Sequence, residues 1–370
     1  MGKHKIAVIA GDGIGPEVIR EGIKVLNAVQ KNMKNLKLEF KHFPWGSDYY
    51  LAKGEMMPQD GLETLRHFDA IYLGAVGDPR VPDHITVREL VLKIRIGFDQ
   101  FANVRPVKLL EGVPCPLRNK TPADIDFVVI RENTEGFYAG CGGRYKKGTA
   151  EHAKYAKLRK TFSDSDEVVV QEGVFSQIGV ERVITFAFEL ARTRKKHLTC
   201  CTKSNALNYS MVYWDEVFRK VAKNYPDVRT DFAMVDATCM WMVKNPENFD
   251  VIVAENLFGD IITDLAAAIQ GGMGVAAGAN TNPHGLSMFE PIHGSAPKYT
   301  GKNVVNPIAT ILAGQMMLEQ LGEKEAATLV EDAVKKVLKD GKYRTKDIGG
   351  ASSTSEVGDA VADAVAKTRT

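Results

Sequence analysis

Short apolar segments that are typical of buried strands alternate with helical patterns along this chain, and that alternation limits its possible folds. The first such segment covers residues 5–10 and runs through a glycine-rich turn into a helical pattern. Residues 70–74 and 251–254 form further apolar segments of strand length. Because strands separated by helices are typical of layered α/β proteins, we predict an α/β architecture.

Length and composition restrict the class of protein. A chain of 370 residues exceeds what one core usually supports, so we expect two domains. The net charge of +2 gives no reason to expect a nucleic-acid partner, and no apolar segment is long enough for a signal sequence or membrane span. Five cysteines without C-x-x-C spacing fit a reducing compartment. We therefore predict a cytoplasmic protein that binds neither nucleic acid nor membranes.

Two glycine-rich turns and one basic segment stand out. Residues 11–17, Gly-Asp-Gly-Ile-Gly-Pro-Glu, resemble a dinucleotide-binding fingerprint, but the third glycine comes one residue early and no ribose-binding acid follows clearly. This argues against a Rossmann fold. Residues 74–77 form a second glycine turn, of the kind that lets a ligand approach the backbone. The basic residues 145–160 are either a solvated loop or an arm that reaches a second subunit.

Two aspartates suggest a metal site. Asp260 and Asp264 follow the apolar segment 251–254 and are four residues apart, so a helix places them on one face. Such a pair is more often a solvated acidic surface. Here, however, it follows a buried strand and has apolar neighbours, which favours a hard cation such as Mg²⁺ or Mn²⁺. A complete coordination shell needs further carboxylates and a substrate.

Three arginines suggest an acidic substrate. Arg95, Arg105 and Arg131 each lie near the end of an apolar segment, where a single arginine is usually structural. Arginine stays charged and binds carboxylates with two parallel hydrogen bonds, so a cluster suits a di- or tricarboxylic acid. Tyr138 follows closely, and taken alone it is more often a packed aromatic than a catalytic acid.

Five motifs together resemble one known family, the metal-dependent β-decarboxylating dehydrogenases that act on isocitrate, isopropylmalate, homoisocitrate, D-malate and tartrate. The motifs occur in the family's order, and the similarity runs from about residue 5 to the C-terminus. They are residues 11–17, 131–136, 202–205, 256–264 and 290–297. Residues 45–50, 56–58 and 81–85 resemble the D-malate and tartrate members in particular.

The resemblance implies a two-domain isopropylmalate-dehydrogenase-like fold, with a mixed sheet flanked by helices. One domain would combine residues 1–103 with 268–370 on the cofactor side. The other, residues 104–267, would carry metal and substrate groups and form much of a dimer interface. Active sites of the family are shared between two subunits, so a homodimer is expected.

The resemblance also implies roles for individual side chains. Asp260 and Asp264, with Asp236 of the partner subunit, would hold Mg²⁺ or Mn²⁺, and the three arginines would bind the substrate carboxylates. Lys203, also from the partner subunit, would take the hydroxyl proton while hydride leaves C2. Tyr138 would protonate the enol carbon after CO₂ is lost.

A nicotinamide cofactor is implied along two segments and one separate residue. These are Gly74, Ala75, Val76 and Gly77, then His293, Gly294, Ser295, Ala296, Pro297, Lys298 and Tyr299, and Asn306. NAD-using members usually carry Asp and an aliphatic residue where this chain has Lys298 and Tyr299, and the Lys-Tyr pair resembles NADP-using isocitrate dehydrogenases. D-malate and tartrate members mostly use NAD, so both cofactors remain open.

Substrate choice depends on the predicted helix 86–95, which faces the C3 substituent in the family. Isocitrate enzymes carry Ser and Asn where this chain has Glu89 and Val91, and D-malate and tartrate members typically carry Trp-Gly at Arg88-Glu89. The resemblance makes Arg88 and Val91 candidate substrate-binding residues, and Arg88 either lies in solvent or receives a distal carboxylate. We predict a 2-hydroxy acid with a 3-carboxylate, D-malate or tartrate, with isopropylmalate, isocitrate and homoisocitrate as alternatives. A non-catalytic regulatory subunit is disfavoured, because every expected metal and acid–base residue is present.

Overall fold

The computed structural model describes residues 2–368, in which the strands form one ten-stranded sheet and one separate pair. The strands are β1 (Gly2–Gly11), β2 (Leu36–Phe43), β3 (Ala70–Ala75), β4 (Ala102–Lys108), β5 (Asp126–Glu132), β6 (Gly136–Lys146), β7 (Glu167–Val174), β8 (His197–Thr202), β9 (Arg229–Met234), β10 (Val251–Ala254), β11 (Ala277–Thr281) and β12 (Ser287–Pro291). The order in the large sheet is β2-β1-β3-β12-β11-β4-β5-β10-β8-β9.

Helices cover both faces of that sheet. They are α1 (Gly15–Asn32), α2 (Ser47–Lys53), α3 (Gly61–Leu65), α4 (Asp83–Thr86), α5 (Lys93–Gly97), α6 (Ala150–Ala156), α7 (Lys160–Asp164), α8 (Gln177–Arg192), α9 (Ser210–Ala222), α10 (Val235–Lys244), α11 (Asn256–Ile269), α12 (Ile308–Gln320), α13 (Lys324–Asp340) and α14 (Thr354–Lys367). A π-helical turn, Val87–Leu92, joins α4 to α5. No helix within residues 2–368 is long and apolar enough to cross a membrane.

The large sheet is mixed. Strands β2, β1, β3 and β12 are parallel to one another, and so are β5, β10, β8 and β9. Between these two groups, β11 and β4 pair antiparallel with their neighbours. The prediction of an α/β fold with a mixed sheet, and not a Rossmann fold, is confirmed.

Apolar faces of the helices fix this arrangement. Helix α1 buries Val18, Val25 and Val29 at helical spacing, and they join the core of the sheet's first half. Helices α8 and α9 cover the second half, where Phe188 and Trp214 are fully buried. One continuous sheet joins the halves, so the boundary between residues 1–103 with 268–370 and residues 104–267 stays a prediction.

The basic segment 145–160 is largely exposed, as a solvated segment would be, but much of it has regular secondary structure and it is not a loop. It finishes β6 and then forms α6, whose first turn is capped because the Thr149 hydroxyl accepts a hydrogen bond from the His152 amide. The Tyr145 and Tyr155 rings stack with centroids 5.8 Å apart. Strands β6 and β7 form the separate pair next to it. The second alternative, an arm that reaches another subunit, stays a prediction.

Candidate active site

A cavity of about 210 Å³ lies at the carboxyl ends of β3 and β5. We call it the arginine cavity, because the three predicted arginines line it together with Tyr138 and Asp260. Its other lining residues are Leu73, Gly74, Ala75, Val76, Val87, Val91, Leu92, Glu290, Pro291, Ile292, His293 and Gly294. The fold therefore brings most of the predicted substrate residues next to part of both predicted cofactor segments.

Neighbouring parallel strands explain why Asp260 meets Arg131. Strand β10 pairs with β5 so that Ala254 is opposite Arg131, and α11 begins directly after β10. The Glu255 carboxylate caps α11 by accepting hydrogen bonds from the amides of Leu257 and Phe258, 3.0 and 2.7 Å away. This cap fixes the start of the helix, so Asp260 faces the cavity one turn later.

Both oxygens of the Asp260 carboxylate have partners in the chain. Arg131 Nη1 donates to Oδ1, and the Tyr138 hydroxyl donates to Oδ2 over 2.7 Å. Burial alone would raise the pKa of Asp260, but the Arg131 charge and the Tyr138 hydrogen bond outweigh burial and lower it. Burial and the hydrogen bond to Asp260 raise the pKa of Tyr138 to about 12. At neutral pH, Asp260 is an anion and Tyr138 keeps its proton.

The other two arginines belong to a buried polar network. Arg95 Nη2 donates to Glu290 Oε1 over 2.8 Å, and Arg105 Nε donates to Asn103 Oδ1 over 2.7 Å. Burial lowers the pKa of Arg105 to about 10, and the nearby charge of Arg131 adds to that effect. Arg105 is still charged at neutral pH. Three cations around one small cavity form a site that favours carboxylates.

The remaining predicted metal and acid–base residues lie outside the arginine cavity. Lys203 Nζ donates to Asp236 Oδ1 over 2.8 Å, and the Asp236 side chain is 70% exposed. Asp264 lies one turn beyond Asp260 on α11 and is exposed. Partial burial of its carboxyl, followed by the negative charge of Asp260, raises the pKa of Asp264. Within one chain, Asp260 and Tyr138 are therefore brought together, but Lys203 and Asp236 do not line their cavity.

The substrate-discriminating segment coincides with the π-helical turn Val87–Leu92. Val91 is buried and lines the arginine cavity. Arg88 does not line it: the guanidinium lies over Gly140 of β6, where a Cβ would be 2.3 Å from Nη2. Glu89 is exposed. Because π-helical turns are rare and often occur at functional sites, this segment is a structural landmark that helical periodicity did not reveal.

A second cavity, of about 450 Å³, adjoins the first at His293, which lines both. Ala296, Tyr299 and Asn306 also line it, and Gly294 has open space where a Cβ would stand. His293 Nε2 is buried and has no hydrogen-bond partner among residues 2–368. Burial lowers the pKa of His293, so the ring is neutral at pH 7. An unpaired buried nitrogen between two open cavities fits a polar ligand that spans them.

Lys298 and Tyr299 lie at the edge of the second cavity. The Lys298 ammonium lies over the Tyr299 ring, 4.9 Å from its centroid, and the Tyr299 residue is 39% exposed. Lys346 contributes a cation to the wall, next to Asp347, which accepts a hydrogen bond from Asn306 Nδ2 over 3.1 Å. Both signs of charge are therefore available near the cavity mouth.

Sequence reasoning missed several residues of these cavities. Glu290, which pairs with Arg95, is the first residue of the family motif 290–297. The motif alone does not indicate that the glutamate belongs to the site. Lys346 and Asp347 lie in a 3₁₀-helical turn between α13 and α14, far along the chain from most of the other lining residues. The only local signal there is the glycine pair at 349–350, which marks a turn and not a ligand.

Comparison with known proteins agrees with this fold. The family model described as "Isocitrate/isopropylmalate dehydrogenase" matches residues 5–361. A probable tartrate dehydrogenase/decarboxylase from Agrobacterium vitis is 49% identical over 369 residues, covering 99% of each chain. The D-malate dehydrogenase [decarboxylating] of Escherichia coli K12 is 49% identical over 367 residues, 96% of this chain and 97% of the relative. Isocitrate dehydrogenase from Methylococcus capsulatus has a similar structure, with a TM-score of 0.86 and 34% identity over 98% of this chain and all of the other.

A whole-length family match and relatives at this identity define the class of protein. The chain belongs to the isocitrate/isopropylmalate dehydrogenase family. It is an oxidoreductase that oxidatively decarboxylates hydroxy acids.

Proposed function

We propose that this enzyme oxidises and decarboxylates D-malate or tartrate, with a divalent metal ion and a nicotinamide cofactor. The observation that carries the proposal is the arginine cavity, in which three buried arginines face one ionised aspartate and a protonated tyrosine. A volume of about 210 Å³ suits a small acid. Val87, Val91 and Leu92 supply apolar surface for its C3 side. The names of the tartrate and D-malate relatives support the same substrate class.

The carboxylates fit Mg²⁺ or Mn²⁺. Each oxygen of Asp260 retains a lone pair besides the one used by Arg131 or Tyr138. Partial burial and then the negative charge of Asp260, one helical turn away, raise the pKa of Asp264. A dication between the two carboxylates would remove their mutual repulsion. Asp236 of the partner subunit would complete the protein ligands, and the residues of this chain therefore fit the ion.

The side chains of the chain account for the proton transfers. Arg95, Arg105 and Arg131 bind the substrate carboxylates and fix C2 and C3. Lys203 of the partner subunit, in its neutral amine form, takes the C2 hydroxyl proton, and Tyr138 delivers its Oη proton to C3 after the C3 carboxylate leaves as CO₂. When bound, the dication polarises the C2 oxygen as a Lewis acid, and the nicotinamide cofactor accepts the hydride.

We infer that two copies of the chain share their sites. Helix α10, which begins beside Asp236, exposes Met240, Trp241 and Val243, and the adjoining α11 exposes Ile261. Large apolar side chains exposed on adjacent helices mark an association surface. A homodimer with a two-fold axis near these helices would cover them and bring Lys203 and Asp236 towards the partner's cavity.

The cytoplasmic location of the protein also remains a proposal.

Substrate preference tests the proposed function. With Mn²⁺ present, kcat/KM for D-malate or tartrate should exceed that for isopropylmalate and isocitrate by about tenfold or more, because a cavity of about 210 Å³ leaves little room for a bulky C3 substituent. Steady-state kinetics with all four acids, with CO₂ release measured, gives this ranking. Replacing Arg88 with Ala should leave the ranking unchanged, since Arg88 lies over Gly140 and outside the cavity.

Two results would change the assignment. A preference for isocitrate or homoisocitrate that Arg88→Ala removes would mean that Arg88 binds a distal carboxylate. Absence of turnover with every acid and both cofactors would identify the chain as a regulatory subunit.

Cofactor choice rests on Lys298 and Tyr299. We infer a preference for NADP, because the ammonium and the hydroxyl can bind the 2′-phosphate, whereas lysine cannot accept a ribose hydrogen bond. One charge-assisted contact corresponds to about a tenfold to hundredfold preference. The double variant Lys298→Asp, Tyr299→Ile should shift kcat/KM towards NAD.

The exposed Lys302, three residues beyond Tyr299, provides a control. Lys302→Asp changes the charge by the same amount and should leave the cofactor ratio as it was. If the parent enzyme prefers NAD and the double variant does not alter that preference, Lys298 has no role in reading the phosphate.

A further inference from the structure

The glycine-rich turn after β1 does not have the free amides of a phosphate-binding loop. We call residues 11–15 the brace loop. The Asp12 amide donates to the Ala75 carbonyl over 2.7 Å, and the Ile14 amide donates to the Ser295 carbonyl over 2.9 Å. A dinucleotide fingerprint leaves such amides free for a pyrophosphate. Here they are bonded to the two segments proposed to flank the cofactor, so the loop has a different role.

The Asp12 carboxylate adds a third connection. It is 7% exposed, and its Oδ2 accepts hydrogen bonds from the Gly77 amide at 2.8 Å and from the Ser47 hydroxyl at 2.7 Å. Its Oδ1 accepts from the Ser47 amide at 2.7 Å. A buried carboxylate with three donors holds those donors strongly, because its hydrogen bonds are charge-assisted. Asp12 thereby fixes the end of the 74–77 turn against the start of α2.

Two glycines allow the close approach that these bonds need. Gly11 has φ of +69°, and a Cβ there would be 2.0 Å from the Ala75 carbonyl oxygen. Gly13 has φ of +56°, and a Cβ there would be 2.1 Å from the Ser295 carbonyl oxygen. Any larger residue would combine backbone strain with a clash against one of the two segments. The loop is thus shaped to contact both of them at once.

We propose that the brace loop is a positioning element that fixes the two cofactor-binding segments relative to each other, with Asp12 as its positioning residue. Gly74–Val76 and His293 line the arginine cavity, and Ile14 of the brace loop forms part of the wall of the second cavity. A shift of the loop would therefore change the width of the space between the segments. The proposal rests on the proposed cofactor site, and it adds a residue that does not touch cofactor or substrate.

Replacing Asp12 with Asn tests the proposal. An amide side chain has one acceptor oxygen, and its NH₂ group would face one of the donors that the carboxylate now binds. We expect the dissociation constants of NADPH and NADH to rise about tenfold to hundredfold. The KM of the hydroxy acid should change by less than about threefold, because the arginines keep their own partners. Fluorescence titration of the full-length enzyme with each reduced cofactor, without metal or acid, measures the binding step alone.

Two variants separate positioning from general stability. Asp250 is 1% exposed and accepts a hydrogen bond from Arg194 Nε over 2.8 Å, on the far half of the sheet. Asp250→Asn should lower Tm without changing cofactor affinity. Ser47→Ala removes the hydrogen bond from the Ser47 hydroxyl to Asp12, but the Gly77 amide still donates to the Asp12 carboxylate. Cofactor affinity should therefore change by less than about twofold.

A matched pair of glycine variants covers the case in which Asp12→Asn does not fold. Gly13→Ala places a methyl against the Ser295 carbonyl, whereas Gly54→Ala, at φ of +79°, has nothing within 4 Å of the added Cβ. Both variants strain the backbone, but only Gly13→Ala creates a steric clash with the cofactor-binding segment that contains Ser295. We expect weaker cofactor binding for Gly13→Ala alone.

The outcomes distinguish the brace from the cofactor site. If Asp12→Asn and Gly13→Ala lower Tm as Asp250→Asn does, and leave cofactor affinity unchanged while His293→Ala weakens it, the brace is refuted and the cofactor site stands. If the parent enzyme binds neither NADH nor NADPH, the proposed cofactor site fails and the brace fails with it.

Discussion

Replacing Lys203 with Met is expected to slow turnover by ~10²–10⁴, the usual contribution of a well-placed acid–base group. Methionine keeps the length of the side chain but cannot accept the C2 hydroxyl proton. The ion pair with Asp236 is also lost, and the Asp236 side chain is 70% exposed, so the fold should be little affected. Steady-state kinetics with D-malate and Mn²⁺ measures the loss.

Lys120→Met is the matched control for this variant. Lys120 also donates to a carboxylate, that of Glu247, at 2.7 Å, and its side chain is 15% exposed. It lies outside the arginine cavity, so the control should keep parental turnover. A rate for Lys203→Met close to that of the parent would remove Lys203 from the mechanism.

Mixing two inactive variants tests whether sites are shared between subunits. In a hybrid of a Lys203→Met chain and a Tyr138→Phe chain, one site combines an intact Tyr138 with an intact Lys203 from the other chain. Random exchange makes half of the dimers hybrids with one good site of two, so about a quarter of parental activity should return. No recovery, with exchange verified by mass spectrometry of tagged chains, would place both residues of a site in one chain.

The centre of the site could be predicted from sequence because it is encoded locally. The apolar residues 251–254 predict a buried strand, and the residues after them predict a helix. The spacing of Asp260 and Asp264 then places both carboxylates on one face of that helix. Arg131 ends another buried strand, and β5 and β10 proved to be parallel neighbours. Parallel strands carry their carboxyl ends to the same edge of the sheet, so these groups converge.

Other features depend on contacts between distant segments, which local periodicity does not encode. Nothing near Glu290 indicates that its carboxylate pairs with Arg95, 195 residues earlier. The antiparallel pairing of β11 and β4 between two parallel groups follows from long-range packing. The sequence of residues 11–17 gives no partner for Asp12, and only the structure reveals that its carboxylate accepts hydrogen bonds from Ser47 and Gly77.

Replacing Asp260 with Asn should have the other large effect. Asparagine keeps the size of the side chain but removes the charge that a dication requires. Lewis-acid stabilisation amounts to several kcal/mol, and about 1.4 kcal/mol is tenfold in rate, so we expect turnover to fall ~10³-fold. A chelator should abolish parental turnover, and added Mn²⁺ should restore it. Titration calorimetry with Mn²⁺ should give a higher Kd for the variant, and saturating Mn²⁺ should recover part of its activity.

Asp126→Asn controls for the loss of an aspartate–arginine pair. The Asp126 side chain is 38% exposed and pairs with Arg194, which closely matches the 41% exposure of Asp260 beside Arg131. It should leave Mn²⁺ affinity and turnover unchanged, because it lies outside the arginine cavity. If Asp260→Asn keeps the parental Kd for Mn²⁺, Asp260 is not a metal ligand. Its carboxylate would then serve only to hold Arg131 and Tyr138, and any loss of turnover would not respond to added metal.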